Sequence, residues 1–121
     1  MLRDAWSKEL VAAQDAKQQH DVPNEWSHLQ RAHVLSQPMA GPHLKTHVAM
    51  LGCAFRKRDG HEVAGQLFRL LVAAPGSWTG RYPVGNTGGS DVSAFRTMPI
   101  PEDLAALLEG ADAEEAKRRD Q

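Results

Sequence analysis

Short breaks divide residues 1–74 into four amphipathic segments, and this rhythm restricts the chain to helical folds. Apolar residues recur at steps of three and four, the spacing of a helix with one buried face. Each break contains Pro or Gly, which end helices. The predicted helices are residues 2–19, 25–37, 42–58 and 61–74, the second capped by Asn24. The pattern predicts an all-α bundle of antiparallel helical hairpins.

The breaks near Pro23, Gly41 and Gly60 set the length of each hairpin. Their spacing resembles a tetratricopeptide-like arrangement, whose helix–turn–helix repeats run about 34 residues. The signature side chains of that repeat are mostly missing from this chain. A helical bundle is therefore the firmer prediction, and repeat-like stacking of the hairpins is an additional expectation.

The composition changes after the fourth helix. Residues 75–101 contain too much Gly and Pro for a helix or a central strand, and they predict a long ordered loop or lid anchored by aromatic side chains. Residues 102–118 predict a C-terminal helix, with acidic residues at its positive end. We expect one helical domain over residues 1–121, with residues 1–74 as its four-helix core.

Composition and charge exclude several functions. The formal net charge of −1 provides no basic footprint, so we expect no nucleic-acid binding. No apolar run approaches the ~20 residues of a membrane span, and no signal peptide is recognisable, so the expected location is the cytoplasm. The single cysteine, Cys53, excludes a disulfide framework and a Cys-rich zinc site, and its apolar neighbours predict that it is buried.

The histidines are the main indication of function, because five of the six lie between His28 and His61. His43 and His47 are four residues apart, which places both imidazoles on one helix face, a common arrangement for divalent metal ligands. We predict a metal site between helices with these ligands: His28, His43, His47, Glu25 and Glu62, one of the two carboxylates completing the shell.

Such a nitrogen and oxygen site suits zinc, nickel, cobalt or iron. Three protein ligands with an open position would favour catalysis, and four would favour a structural or storage role. The alternative is that the histidines are hydrogen-bonded structural groups. We expect this role for His33 and His61, and we expect His20 to be exposed at a helix end.

A glycine-rich run in the predicted loop is a second candidate site. Consecutive backbone N–H groups in such a turn can bind an anion, and an arginine nearby supplies charge. The candidate residues for a small anionic ligand are Arg81, Gly85, Asn86, Thr87 and Gly88. The run lacks the Gly-Lys-Ser/Thr ending of a P-loop, so a structural turn is the alternative reading.

Several motifs occur in the order found in one protein family. They are Trp26-Ser27-His28-Leu29-Gln30-Arg31-Ala32-His33, His43-x-x-x-His47, Arg58-Asp59 followed by Glu62, Gly65-Gln66, and Arg81-Tyr82-Pro83-Val84-Gly85-Asn86-Thr87-Gly88-Gly89 followed by Met98-Pro99-Ile100-Pro101. Together they resemble the bacterial domain-of-unknown-function family 3703. The resemblance implies a bacterial, cytosolic, helical protein and no particular activity.

Three functions follow from these patterns. The leading hypothesis is a small cytosolic protein that binds a divalent transition metal, in metal homeostasis or resistance. The second is a mononuclear metal-dependent hydrolase or oxygenase with the glycine-rich loop as its lid. The third is a helical protein-interaction module with structural histidines.

Overall fold

The computed structural model describes residues 1–79 and 98–120, with side chains described for residues 1–70 and 98–120. The regular secondary structure of these residues is entirely helical. The helices are α1 Leu2–Gln18, α2 Val22–Ser36, α3 Ala40–Lys57, α4 Gly60–Thr79 and α5 Glu102–Arg119. The all-α prediction is therefore confirmed.

Two hairpins form the body of the fold. α1 packs along α2, α3 packs along α4, and α2 contacts α3 to join the hairpins. α5 packs on α1 and α2. The tetratricopeptide-like stacking and the division into core, lid and C-terminal helix stay predictions.

Local chemistry sets the helix ends. The Asp21 side chain accepts a hydrogen bond from the Asn24 backbone N–H (3.2 Å), so α2 begins earlier than predicted, with Pro23 in its first turn. Proline is tolerated there because the first amides of a helix have no partner within it. α3 ends at Arg58, whose φ of 56° is left-handed. The Asp59 side chain then accepts from the Glu62 N–H (3.0 Å) at the start of α4.

α4 also continues past its predicted end at residue 74, to Thr79. We predicted an end before Pro75 because proline removes an amide donor. A helix can continue through a proline if the hydrogen bond normally donated by that residue's amide is missing. α4 continues through Pro75 in this way. Residues 80–97 of the predicted loop, with Arg81, Gly85, Asn86, Thr87 and Gly88, lie outside the described residues.

Two apolar clusters hold the helices together. One joins the N-terminal part of α1 to the C-terminal part of α2 and to α5; it consists of Trp6, Ala32, Val34, Leu35 and Leu104. The other joins α1 and α2 to the middle of α3; it consists of Ala13, Leu29, Met50 and Cys53. Cys53 is buried as predicted, and burial raises the pKa of its thiol to about 11. None of the described helices has the length and apolar character needed to cross a membrane.

Arg31 on α2 forms ion pairs with carboxylates of two other helices, α1 and α5. Its Nε donates to Glu9 Oε1 on α1 (2.9 Å), and its Nη2 donates to Asp103 at the start of α5. Arg31 therefore joins α2 to α1 and to α5.

Candidate metal centre

Three buried histidines meet where α2 contacts α3. His33 comes from the last turn of α2, and His43 and His47 come from successive turns of the first half of α3. Their exposed fractions are 3%, 5% and 2%. Burial of an imidazole is costly unless its nitrogens have partners, so a group of three in one place requires an explanation.

The three Nε2 atoms form a nearly equilateral triangle. His33 Nε2 lies 3.0 Å from His43 Nε2 and 3.1 Å from His47 Nε2, and the last two are 3.2 Å apart. The ring centroids are 4.7–4.9 Å apart, and the rings are steeply inclined or tilted to each other rather than stacked. One nitrogen of each ring therefore points toward the same small volume.

The triangle of Nε2 atoms has the size of a site that could hold a metal ion. Each Nε2 has one in-plane position, for a hydrogen or a lone pair, yet each faces two other nitrogens. A cation at the centre engages all three lone pairs. With bonds of about 2.05 Å, ligand nitrogens would lie about 2.9 Å apart at octahedral angles and about 3.4 Å apart at tetrahedral angles. The observed separations fall between these values.

Two residues of α4 stand behind His47. His47 Nδ1 donates to the Gln66 side-chain carbonyl oxygen (2.6 Å), and the Gln66 amide donates to Glu62 Oε1 (2.7 Å). Glu62 and Gln66 are themselves buried, with exposed fractions of 3% and 0%. Glu62 is thus connected to the His47 ring through Gln66, by two successive hydrogen bonds.

The electrostatics keep His47 neutral. Burial lowers its pKa to about 4, the hydrogen bond to Gln66 partly opposes that shift, and the positive charge of Arg69 adds to it. Arg69 is another buried residue of α4, and burial lowers its own pKa while Glu62 opposes that change. A neutral imidazole is the form that binds a metal.

Comparison with known proteins places the chain in a family. A model of proteins of unknown function, DUF3703, matches residues 1–108, including the three buried histidines and the α4 pair. The chain belongs to this family. No curated protein and no solved structure matches it. This match confirms the resemblance inferred from the sequence motifs. The family is described as proteins of unknown function, so membership does not assign an activity.

The DUF3703 chain brings together only part of the predicted ligand set. His43 and His47 lie in the cluster, and Glu62 lies behind it. His28 Nδ1 instead donates to Glu9 Oε2 on α1 (2.7 Å), and Glu25 accepts from Arg56 on α3. His28 is five residues from His33, about 140° around the helix, and Glu25 is about 12 Å from His33 along it. Neither faces the other imidazoles.

His33 is the residue that the sequence analysis of this DUF3703 protein assigned to a structural role. It follows Leu29 by four residues, so it continues the apolar stripe of α2, and that stripe faces α3. The sequence therefore contained evidence that His33 lies on the face of α2 that meets α3. A ligand between helices must lie on a buried face, which favours His33 over the half-buried His28. His61 is exposed, and so is His20, which lies two residues beyond the end of α1 with a φ of 57°.

Proposed function

We propose that this DUF3703 protein binds one divalent transition metal ion through the Nε2 atoms of His33, His43 and His47. The convergence of three buried nitrogens within 3.2 Å of one another carries the proposal. Zinc, nickel, cobalt and iron(II) accept imidazole ligands and are the candidate ions. The role would be metal homeostasis or resistance in the bacterial cytosol.

The proposed ligand set differs from the one expected from sequence. His33 replaces His28, because its Nε2 lies beside those of the α3 pair. Glu25 is left out, because its carboxylate faces Arg56. Glu62 moves from ligand to supporting group, because Gln66 lies between it and His47.

The other histidines supply matched controls for a test by substitution. We expect His33→Ala, His43→Ala and His47→Ala each to weaken zinc binding about 100-fold or more. Each substitution removes one of the three side chains that would bind the ion directly. His28→Ala and His61→Ala should bind as the wild type does. Competition titration with a chromogenic chelator, on protein without a histidine tag, measures each affinity, and circular dichroism checks that each variant is helical.

The pattern of loss identifies the site. If His28→Ala lost binding while His33→Ala kept it, the ligand set predicted from sequence would be correct and the one proposed here would be wrong. Equal binding by all five variants would place any metal elsewhere on the protein.

A metal-dependent enzyme is the second candidate function. Three histidines leave at least one coordination position for water or substrate, as in catalytic zinc sites. The glycine-rich run with Arg81 keeps its predicted role as a lid that binds a small anion. Hydrolysis or oxygenase turnover by the metal-loaded protein, lost together with binding in His43→Ala, would favour this function over storage.

An interaction module is the third candidate, and exposed apolar side chains favour it. Val48 and Phe55 on α3 are 58% and 61% exposed, and Leu67 on α4 is 51% exposed. Val48 and Phe55 are seven residues apart and so lie on one helix face. A partner that bound this face equally well with and without metal would support a structural role for the histidines.

A further inference from the structure

α4 contributes two polar side chains to the histidine cluster from behind. Glu62 and Gln66 are four residues apart, so they share the face of α4 that packs toward α3. Both are almost fully buried. A buried carboxylate and a buried amide are stable only when hydrogen-bonded. One chain of such bonds runs from Glu62 through Gln66 to His47.

The chemistry of each group fixes the direction of these bonds. An ionised carboxylate only accepts, so the Gln66 NH₂ group must face Glu62. The Gln66 carbonyl oxygen must then face His47, and it also only accepts. His47 Nδ1 therefore carries the hydrogen, and in a neutral ring Nε2 is left with its lone pair. That lone pair points at the Nε2 atoms of the other two histidines.

We propose that Gln66 and Glu62 are positioning residues that hold His47 in the Nδ1–H tautomer, with its Nε2 lone pair directed at the metal. This inference rests on the proposed function. Gln66 fixes the ring, and Glu62 fixes the orientation of the Gln66 amide. Partners of this kind behind metal-ligating histidines typically change metal affinity by about 10- to 100-fold.

Two variants test the positioning role. Gln66→Leu removes the acceptor for Nδ1–H while nearly conserving volume, and we expect zinc affinity to fall about 10- to 100-fold with one ion still bound. The exchange variant E62Q/Q66E keeps both groups and the net charge but places the carboxylate directly on His47. It offers the same kind of acceptor, so we expect affinity close to that of the wild type. Gln14→Leu, an exposed substitution on α1, is the control.

Nitrogen-15 NMR of the imidazoles gives a readout that a purely structural role would not move. In metal-free wild type and in E62Q/Q66E, His47 should be the Nδ1–H tautomer. In Gln66→Leu it should become a mixture of tautomers. Unchanged affinity and tautomer in Gln66→Leu would overturn the inference, and so would an exchange variant that binds as weakly as Gln66→Leu.

The same data separate this inference from the proposed function. If wild-type protein binds none of zinc, nickel, cobalt and iron(II), the proposed function fails, while the tautomer of metal-free His47 still tests the effect of Gln66. If Gln66→Leu does not fold, the exchange variant decides, because loss of the Nδ1–H tautomer there would contradict the positioning role.

Discussion

At the scale of single residues, the protein buries three imidazoles together, and burial lowers the basicity of His47. His47 is 2% exposed and has a pKa of about 4, below the usual value of 6.5. Protonation there would bury a positive charge beside Arg69 and the other two imidazoles. His47 is therefore neutral at neutral pH, and the metal-free protein should be sensitive to acid.

We expect metal-free protein to lose stability as the pH falls from about 6.5 toward 4. Over that interval the unfolded chain takes up a proton on His47 that the folded chain does not, so the unfolded state is favoured increasingly at lower pH. The loss attributable to His47 is up to about 3 kcal/mol. His33, His43 and the guanidinium of Arg69 are the groups that face His47.

Urea denaturation of chelator-treated protein at a series of pH values measures this loss. His47→Gln is the control, because it removes the titrating ring and leaves every carboxylate in place. The account would be contradicted if wild type and His47→Gln lost stability in parallel between pH 6.5 and 4.

His28 and His33 show which members of the histidine cluster could be predicted from the sequence and which could not. The i,i+4 spacing of His43 and His47 was sufficient to place them together, because helix geometry alone decides that. The third histidine of the cluster depended on which face of α2 meets α3. His28 instead reaches Glu9 on α1, a contact between residues 19 positions apart that no local pattern encodes.

At the scale of helices, one hydrogen bond links α1 directly to α3. Trp6 Nε1 donates to Thr46 Oγ1 (2.9 Å), and the Thr46 hydroxyl donates to the Pro42 carbonyl one turn earlier (2.8 Å). Trp6 is 6% exposed and Thr46 is 0% exposed. Thr46 lies on α3, the helix that carries His43 and His47, so the bond also holds that helix against α1.

Thr46→Val should destabilise the protein by about 1–3 kcal/mol, because it leaves the buried indole N–H without an acceptor while conserving the side-chain shape. Thr46→Ser keeps the hydroxyl and should retain most of the stability lost in Thr46→Val. Urea denaturation of metal-free protein measures both. If valine and serine at this position had the same effect, the hydrogen bond would not be the stabilising feature.

Helix identity could be predicted from periodicity, whereas helix ends depended on details that periodicity omits. α2 starts with Asp21 as its cap rather than Asn24, because Pro23 fits the first turn. α4 passes Pro75, where the sequence favoured a stop. In both places proline was read as a helix breaker, although its effect depends on its position in the helix.

At the scale of the whole molecule, the histidine cluster ties the two hairpins together. His33 belongs to the first hairpin, His43 and His47 belong to the second, and Gln66 supports the cluster from α4. An ion bound there would bind the folded state only and would therefore stabilise the joint between the hairpins. The convergence of α2, α3 and α4 is a property of the packed bundle, which is why composition and spacing could suggest a metal site without fixing its ligands.

The most direct test is a zinc titration of tag-free, chelator-treated protein, followed by calorimetry and by thermal denaturation. The account predicts one ion per chain and a melting temperature that rises with zinc concentration, with both effects lost in His33→Ala and retained in His28→Ala. Protein that binds neither zinc nor nickel, cobalt or iron(II), and whose melting temperature is unchanged by each, would contradict the metal centre.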